Sequence, residues 1–270
     1  MYEAYWQLQA RPFENSADPR FYYPSESHQG ALLKLRYAIE NRRGAALLAG
    51  ASGTGKSLAV ATLRRQLPDS FAPFVHLVFP DMPARELLAY LGAELGAPGT
   101  SNGIEESVRR IERFVAQNST AGKHAVIAID EAHLLVESGA LETLRLLLNF
   151  GADKQAPLTL LMVGQPGLLP ALDRLPALEE RLGVKCLLRP LSLEETVSYV
   201  NHRLIAAGAT REIFTSEGLT TLHKLTQGNP RRINRLCDLA LLIGYAEEQP
   251  SIGSSQIESV CDELVNVTPE

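Results

Sequence analysis

The chain has 270 residues, of which 45% are hydrophobic and 21% are charged. This composition is typical of a globular protein and excludes a disordered or fibrous chain. The formal net charge is −5; residues 1–190 contain 20 basic and 20 acidic residues, and residues 191–270 contain 6 and 11. Neither part has the basic surplus that non-specific nucleic-acid binding requires.

The cysteines and the N-terminal segment both indicate a cytoplasmic protein. Cys186, Cys237 and Cys261 are far apart and form no paired motif, which is typical of apolar thiols in a reducing compartment. The N-terminal segment lacks the basic start and apolar stretch of a signal peptide. The longest clean apolar stretch, from Leu239 to Ala246, is too short to span a bilayer.

Strand-like and helix-like segments alternate over the first 190 residues. After an irregular lead-in, uninterrupted apolar runs of strand length alternate with segments of helical spacing. Buried strands separated by helices predict a parallel sheet covered on both faces, which is an α/β fold. In chain order, the predicted elements are a helix over 25–44, a strand over 45–50, a helix over 56–67, a strand over 74–79, helices over 83–96 and 104–117, a strand over 124–130, a helix over 139–150, and strands over 158–164 and 184–190.

The pattern changes after Pro190. Each later segment has helical spacing, and no strand candidate separates them. We therefore predict an α/β core over 1–190, whose lead-in and first helix cover 1–43, and a small all-helical domain over 191–270. The predicted helices of this second domain cover 192–208, 216–226, 230–248 and 254–265.

The loop after the first strand matches the phosphate-binding pattern G-x-x-x-x-G-K-[ST]. Its glycines let the backbone wrap a phosphate so that successive N–H groups point inward, and the helix that follows directs its positive end at the same anion. Lys56 is expected to reach the β- and γ-phosphates of ATP, and the Ser57 hydroxyl to bind Mg²⁺. The predicted nucleotide-binding residues of the loop are Gly50, Ser52, Gly53, Thr54, Gly55, Lys56 and Ser57.

Two adjacent carboxylates end the third predicted strand, in the sequence AVIAIDEAH. Parallel sheets bind ligands at this end of their strands. Asp130 is expected to hold Mg²⁺ through its water shell, and Glu131 to deprotonate the attacking water as a general base. The letters DEAH also occur in helicases, but those need two complete α/β domains, and the residues after Pro190 have helical spacing. His133 is expected to be only a neighbour of the site.

The phosphate loop, the acidic strand end and the helical C-terminal part together resemble the AAA+ ATPases over essentially the whole chain. The resemblance implies a three-layer P-loop fold followed by a helical lid. It also implies that Gln165, which follows the fourth strand in LTLLMVGQP, is sensor 1 and helps to place the water. In GNPRRINRL, the sensor 2 arginine that reaches the γ-phosphate corresponds to Arg231, with Arg232 as the alternative.

The segment ALEERLGVKCLLRP resembles the part of AAA+ proteins that carries the arginine finger. The resemblance assigns this role to Arg181, with Arg174 as the second candidate and a surface salt bridge as the alternative. A finger stabilises charge on the phosphoryl group at a neighbour's site. It therefore implies self-association into a ring or filament in which sites form between subunits.

The first residues resemble the ExeA/GspA group of AAA+ proteins, which includes the MSHA pilus-biogenesis ATPase. The group has an x-x-P-F motif, a D-P-R-F-x-Y motif and a helix beginning S-x-x-H; here these are Pro12-Phe13, Asp18 to Tyr23 and Ser25 to His28. In this group the lead-in packs near the adenine, so Phe13 is expected either to line the base pocket or to cap the sheet. Secretion members continue into a transmembrane helix and a periplasmic region that these residues do not contain. The chain is therefore expected to be an ATPase domain of a longer protein or a short soluble member.

The resemblance implies an ATPase whose hydrolysis remodels a protein client, with a favoured role in assembling a secretion port or pilus. It places the chain in the cytoplasm, or at the inner face of the membrane through a C-terminal part or a partner. Besides the general case of an ATPase with an unrelated protein client, two alternatives stay open. One is a DNA-directed ATPase of the transposition-regulator or initiator type, which the acidic lid disfavours. The other is a nucleotide-gated scaffold with little turnover.

Overall fold

The computed structural model describes most of the chain, namely residues 1–15, 19–99, 103–150 and 156–266. Asp18 of the D-P-R-F-x-Y motif lies outside the described residues. Within the described ranges, no helix combines the length and apolar character needed to cross a lipid bilayer.

The chain divides into two compact units by its internal contacts. We call them the α/β unit, made of Glu26–Ser52 and Ala59–Leu188, and the helical unit, made of Met1–Ser25, Gly53–Leu58 and Arg189–Glu270. In packing, the lead-in therefore groups with the C-terminal helices. The predicted domain boundary at residue 190 divides the chain into two continuous segments, whereas each contact-based unit combines separate segments. That boundary stays a prediction.

A five-stranded sheet forms the centre of the α/β unit. Its strands are β1 Ala45–Gly50, β2 Phe74–Leu77, β3 Ala125–Ile129, β4 Leu158–Gly164 and β5 Leu182–Leu188. They are all parallel, in the order β2-β3-β4-β1-β5. Every residue of β1, β3 and β4 is buried, as uninterrupted apolar runs require when helices cover both faces. The parallel α/β fold predicted from the sequence is confirmed.

Helices of two kinds surround the sheet. The longer ones match the predicted segments, with ends shifted by a few residues: α1 Glu26–Glu40, α2 Lys56–Gln66, α3 Ala84–Glu94, α4 Ile104–Thr120 and α6 Ala140–Leu147. The short ones are α5 Leu135–Ser138, α7 Leu168–Asp173 and α8 Pro176–Glu179. The sequence did not predict these, because four to six residues are too few to establish a helical period.

The helical unit contains the four C-terminal helices that were predicted: α9 Leu193–Ala206, α10 Ser216–Thr226, α11 Pro230–Ala246 and α12 Ser254–Asn266. A capping box starts α9, since the Ser192 side chain accepts from the Glu195 amide and the Glu195 side chain accepts from the Ser192 amide. The lead-in supplies Trp6, which is fully buried and donates from its indole nitrogen to the carbonyl of Leu241 at 2.9 Å. The aromatic lead-in is thus part of this unit's core.

Arg203 on α9 ties the lead-in to the helices from inside the unit. Its side chain is buried and donates to the carbonyls of Pro12 at 2.5 Å and Glu14 at 2.9 Å. The guanidinium also lies 4.9 Å from the centre of the Phe21 ring and donates to the Tyr199 hydroxyl at 2.8 Å. These contacts offset the cost of burying the cation.

Candidate nucleotide-binding site

Three predicted site segments follow strands that lie side by side. In the sheet, β4 pairs with β1 on one side and β3 on the other, and Ala49 at the end of β1 pairs with Gly164 at the end of β4. Because the strands are parallel, Gly50, Asp130 and Gln165 lie at one carboxyl edge of the sheet. This is the edge at which open α/β sheets bind ligands.

The phosphate loop has the backbone that its motif predicts. Gly53 and Gly55 adopt φ angles of +82° and +92°, in the left-handed region that favours glycine. Thr54 and Lys56 are both buried. Lys56 also begins α2, where the positive end of the helix disfavours a cation. A bound anion would stabilise the ammonium of Lys56 and the positive end of the helix together. The loop therefore fits a phosphate.

Asp130 directly follows β3 and makes hydrogen bonds with its neighbours. Its amide donates to the carbonyl of Leu77 at 2.8 Å, and its carboxylate accepts from the amide of Glu131 at 2.9 Å. The side chain is buried, and its Oδ2 lies 3.7 Å from Nε2 of His76, beyond hydrogen-bond distance. The sequence analysis did not identify His76; its pairing with Ala128 on the neighbouring strand is what brings it beside the acid.

Glu131 has a left-handed backbone, with φ +50° and ψ +34°. This conformation costs a non-glycine residue about 1 kcal/mol and is common at functional sites. Its side chain is 42% exposed, and its Oε2 lies 3.3 Å from Nδ1 of His133. The other ring nitrogen of His133 lies 3.3 Å from Nε2 of Gln165, whose side chain is exposed. Glu131 and Gln165 are thus brought together around a histidine to which the sequence assigned no chemistry.

The first turn of α11 contacts the phosphate loop inside the helical unit. The amide of Arg231 donates to the carbonyl of Gly53 at 3.2 Å and to the side-chain oxygen of Asn229 at 3.1 Å. The amide of Arg232 donates only to that Asn229 cap in the contacts described, at 3.3 Å. Arg231 is therefore the arginine whose backbone lies against the loop.

Arg181 lies at the start of β5 in the α/β unit. Its guanidinium donates to the carbonyl of Leu148 at 3.2 Å and to the side chain of Asn149 at 2.5 Å. Among the described residues it forms no ion pair, so the salt-bridge alternative has no support there. Arg181 lines a cavity of about 590 Å³ together with Arg42 and Arg43.

Phe13 is 2% exposed and belongs to the core of the helical unit. Its ring lies 6.2 Å from that of Phe214, edge to face. The prediction that Phe13 lines the base pocket or caps the sheet stays a prediction, and its burial among the helices adds no support for a contact with a base.

Comparisons with known proteins agree with the fold and the motifs. A family model described as an AAA domain matches residues 39–172. The Drosophila ORC bound to DNA has a TM-score of 0.71 at 18% identity, over 94% of this chain and 64% of that one. The ORC2 protein of Aeropyrum pernix in ADPNP–ADP complexes has a TM-score of 0.71 at 15% identity, over 94% and 72%. At these identities the likeness shows the fold alone. The match, the sheet and the loop place the chain in the class of the AAA+ ATPases.

The sequence of the whole chain narrows this class. It is 35% identical to General secretion pathway protein A of Aeromonas hydrophila over 100% of this chain and 50% of that protein. The chain thus spans about half the length of the curated relative it matches. Within the AAA+ ATPases, it belongs to the ExeA/GspA group.

Proposed function

We propose that this chain binds Mg-ATP and hydrolyses it to ADP and phosphate. The observation that carries the proposal is the shared carboxyl edge of β1, β3 and β4, where Gly50, Asp130 and Gln165 lie. One end of the phosphate loop, a carboxylate pair and a polar amide are the groups that phosphoryl transfer needs, because its catalysis depends on positioning and on charge stabilisation.

The loop is proposed to bind the triphosphate. The buried ammonium of Lys56 would be stabilised by the β- and γ-phosphates. The left-handed backbones of Gly53 and Gly55 support a nest of amides that binds an anion. The other proposed members of the loop are Gly50, Ser52, Thr54 and Ser57.

The chemistry of the donor set fits Mg²⁺. This ion prefers oxygen ligands and usually takes one or two protein ligands besides phosphate oxygens and water. We propose that the Ser57 hydroxyl and the Asp130 carboxylate hold it. When bound, the ion would neutralise charge on the phosphate oxygens.

Glu131 is proposed as the general base. Its partly exposed carboxylate would take a proton from the water whose oxygen attacks the γ-phosphorus, and ADP would leave with the electrons of the broken P–O bond. Gln165 would hydrogen-bond the same water. Arg231 would contact the γ-phosphate, which the contact between α11 and Gly53 supports.

Two substitutions separate binding from hydrolysis in the full chain. Lys56→Ala is expected to weaken ATP binding roughly 10- to 100-fold, measured by calorimetry. Glu131→Gln is expected to keep ATP affinity and to lower kcat about 1,000-fold, measured by phosphate release. The exposed residues Lys34 and Glu137 provide matched controls, Lys34→Ala and Glu137→Gln.

Each result decides a different point. Equal ATP affinity in the wild type and Lys56→Ala would overturn the nucleotide site. A wild type that binds ATP and scarcely turns it over would instead favour the nucleotide-gated scaffold, because Glu131→Gln would then change nothing.

We also propose that hydrolysis drives the assembly or remodelling of a protein client in secretion or pilus assembly. The 35% identity to a general secretion pathway protein supports the secretion role. The likeness to ORC bound to DNA is one of fold at 18% identity and adds no support for a DNA client. Because cells keep ATP in the cytoplasm, the proposed place of action is the cytoplasm or the inner face of the membrane.

Self-association is part of the proposal. Arg181 would act as the arginine finger on the ATP of a neighbouring copy. Its support is positional: Arg181, Arg42 and Arg43 line one cavity that also contains the acidic residue Glu180, and the remaining surplus of positive charge favours an approaching phosphate.

A further inference from the structure

His133 lies between the two groups that are proposed to handle the attacking water. Its Nδ1 is 3.3 Å from Oε2 of Glu131, and its Nε2 is 3.3 Å from Nε2 of Gln165. The Nδ1 atom is inaccessible to solvent and has no aligned hydrogen bond among the described residues. A buried ring nitrogen next to a carboxylate, without an aligned partner, is costly for stability alone.

The local backbone holds the ring in this place. After the left-handed turn at Glu131, a short 3-10 helix covers Ala132–Leu134, and the amide of Leu134 returns a hydrogen bond to the carbonyl of Glu131 at 2.9 Å. The end of β4 lies against the ring, because a Cβ added at Gly164 would be in van der Waals contact with Nδ1 of His133, at 3.5 Å. Two adjoining elements thus fix the imidazole beside the carboxylate.

The two contacts also select one form of the neutral ring. Gln165 presents an amide N–H to Nε2, so Nε2 accepts the hydrogen bond. The ring proton then resides on Nδ1, the nitrogen that faces the Glu131 carboxylate. In this form, a small rotation of the Glu131 side chain would complete a hydrogen bond from Nδ1–H to Oε2. The imidazole can therefore link the carboxylate and the amide in one chain of hydrogen bonds.

We infer that His133 is a positioning residue that couples Glu131 to Gln165 and so holds both in the geometry for water attack. The inference rests on the proposed ATPase function. Because small displacements of reacting groups cost up to about 100-fold in rate, the coupling predicts a loss in kcat rather than in ATP affinity.

The test is a double-mutant cycle on the full chain with His133→Ala and Gln165→Ala. Each single variant is expected to lower kcat about 10- to 100-fold with ATP affinity within about threefold of the wild type. The double variant is expected to be no slower than the slower single variant, because coupled residues are not additive. Leu134→Ala, an exposed neighbour in the same 3-10 turn, is the control and is expected to keep the wild-type kcat within about twofold.

A second measurement is independent of turnover. In nitrogen-15 spectra of the nucleotide-free protein labelled at histidine, His133 is expected as the Nδ1–H form, and Gln165→Ala is expected to weaken that preference, since only the Glu131 carboxylate then favours it. His133→Asn, which can keep a donor near the Nδ1 position, is expected to recover part of the kcat lost in His133→Ala.

The outcomes separate this inference from the function beneath it. A wild type without ATP hydrolysis overturns the proposed function and this inference together. A wild type that hydrolyses ATP overturns the inference alone if His133→Ala keeps the wild-type kcat, if the two losses multiply, or if His133 is the Nε2–H form.

Discussion

The backbone amide of Arg231 lies 3.2 Å from the carbonyl oxygen of Gly53 and donates a hydrogen bond to it. Both residues belong to the helical unit. The contact joins the first turn of α11 to the middle of the phosphate loop, so a change in one is expected to affect the other. The loop backbone at Gly53 also leaves no space for a side chain. An added Cβ would lie 2.7 Å from both the Cβ of Arg231 and the side-chain oxygen of Asn229.

Gly53→Ala is therefore expected to destabilise the protein by about 1 to 3 kcal/mol. The substitution adds a steric conflict to a backbone with φ +82°, which alanine rarely adopts. Urea unfolding followed by circular dichroism measures the change. Gly30→Ala is the matched control, because nothing lies within 4 Å of a Cβ at this position in α1; it is expected to stabilise the helix by about 0.5 to 1 kcal/mol. Equal stability of Gly53→Ala and the wild type would contradict the prediction.

The choice between the two sensor 2 candidates can be tested directly. Arg231→Ala is expected to lower kcat/KM for ATP roughly 10- to 100-fold, the effect of losing a hydrogen bond to a charged group. Arg232→Ala is expected to change it less than threefold, because among the contacts described the amide of Arg231 donates to the phosphate loop, whereas that of Arg232 donates only to the Asn229 cap. Steady-state phosphate release on both variants decides the assignment, and the reverse order of effects would assign sensor 2 to Arg232.

The arginine finger predicts complementation between inactive variants. Arg181→Ala is expected to lower kcat at least about 100-fold, because a finger stabilises the transition state of phosphoryl transfer. A mixture of Arg181→Ala with Glu131→Gln is expected to regain activity. In a mixed assembly, the intact Glu131 of an Arg181→Ala subunit would receive an arginine finger from a neighbouring Glu131→Gln subunit. Arg174→Ala, at the exposed runner-up position, is the matched control and is expected to retain activity.

Two results together would contradict this role for Arg181: mixtures that stay inactive at every ratio, and a protein that stays monomeric in the presence of ATP. Light scattering on the same samples reports the oligomeric state. Wild-type specific activity that rises with protein concentration is the companion result expected if sites form between copies.

His124 gives the stability of the α/β unit a pH dependence. Burial lowers the pKa of His124 to about 4, and the positive charge of Arg42 acts in the same direction. Above pH 6.5 the ring is neutral in the folded and unfolded states. Between pH 6.5 and 4 the unfolded chain binds a proton that the folded chain does not. The free energy of unfolding is therefore expected to decrease as the pH is lowered from 6.5 to 4, by up to about 3 kcal/mol.

Urea unfolding at pH 7 and pH 4.5 checks this, with His124→Gln as the comparison. Glutamine can still donate to the Thr159 hydroxyl, which lies 2.9 Å from Nε2 of His124, but it does not titrate. The wild type is expected to lose more stability than this variant between the two pH values. Equal losses would show that His124 does not contribute to the pH dependence.

Much of the fold could be predicted from local patterns. The buried strands were identified because uninterrupted apolar runs of strand length follow directly from burial on both faces. The long helices were identified by their spacing and their start and stop residues. The strand predicted over 74–79 proved too long, since β2 ends at Leu77. The next two residues, Val78 and Phe79, are exposed. The prediction followed the apolar residues, but the strand ends where its pairing with β3 ends.

The candidate site was only partly predictable. The phosphate loop and the acidic pair are contiguous motifs, so they could be recognised from a few adjacent residues of the sequence. His76 and His133 are different, because each becomes relevant only through the strand or turn beside it. The signal for His133 was present in AVIAIDEAH, but nothing in the letters showed that its ring faces both Glu131 and Gln165.

The sequence by itself determined the segments, the loop that fits a phosphate and the two acids at a strand end, because these depend on neighbouring residues and on the period of side-chain burial. Only the tertiary structure decided the strand order, the packing of the lead-in around Arg203, and the place of His133 between two polar groups. Such contacts join residues far apart in the chain, and their energies depend on which surfaces meet once the core has formed.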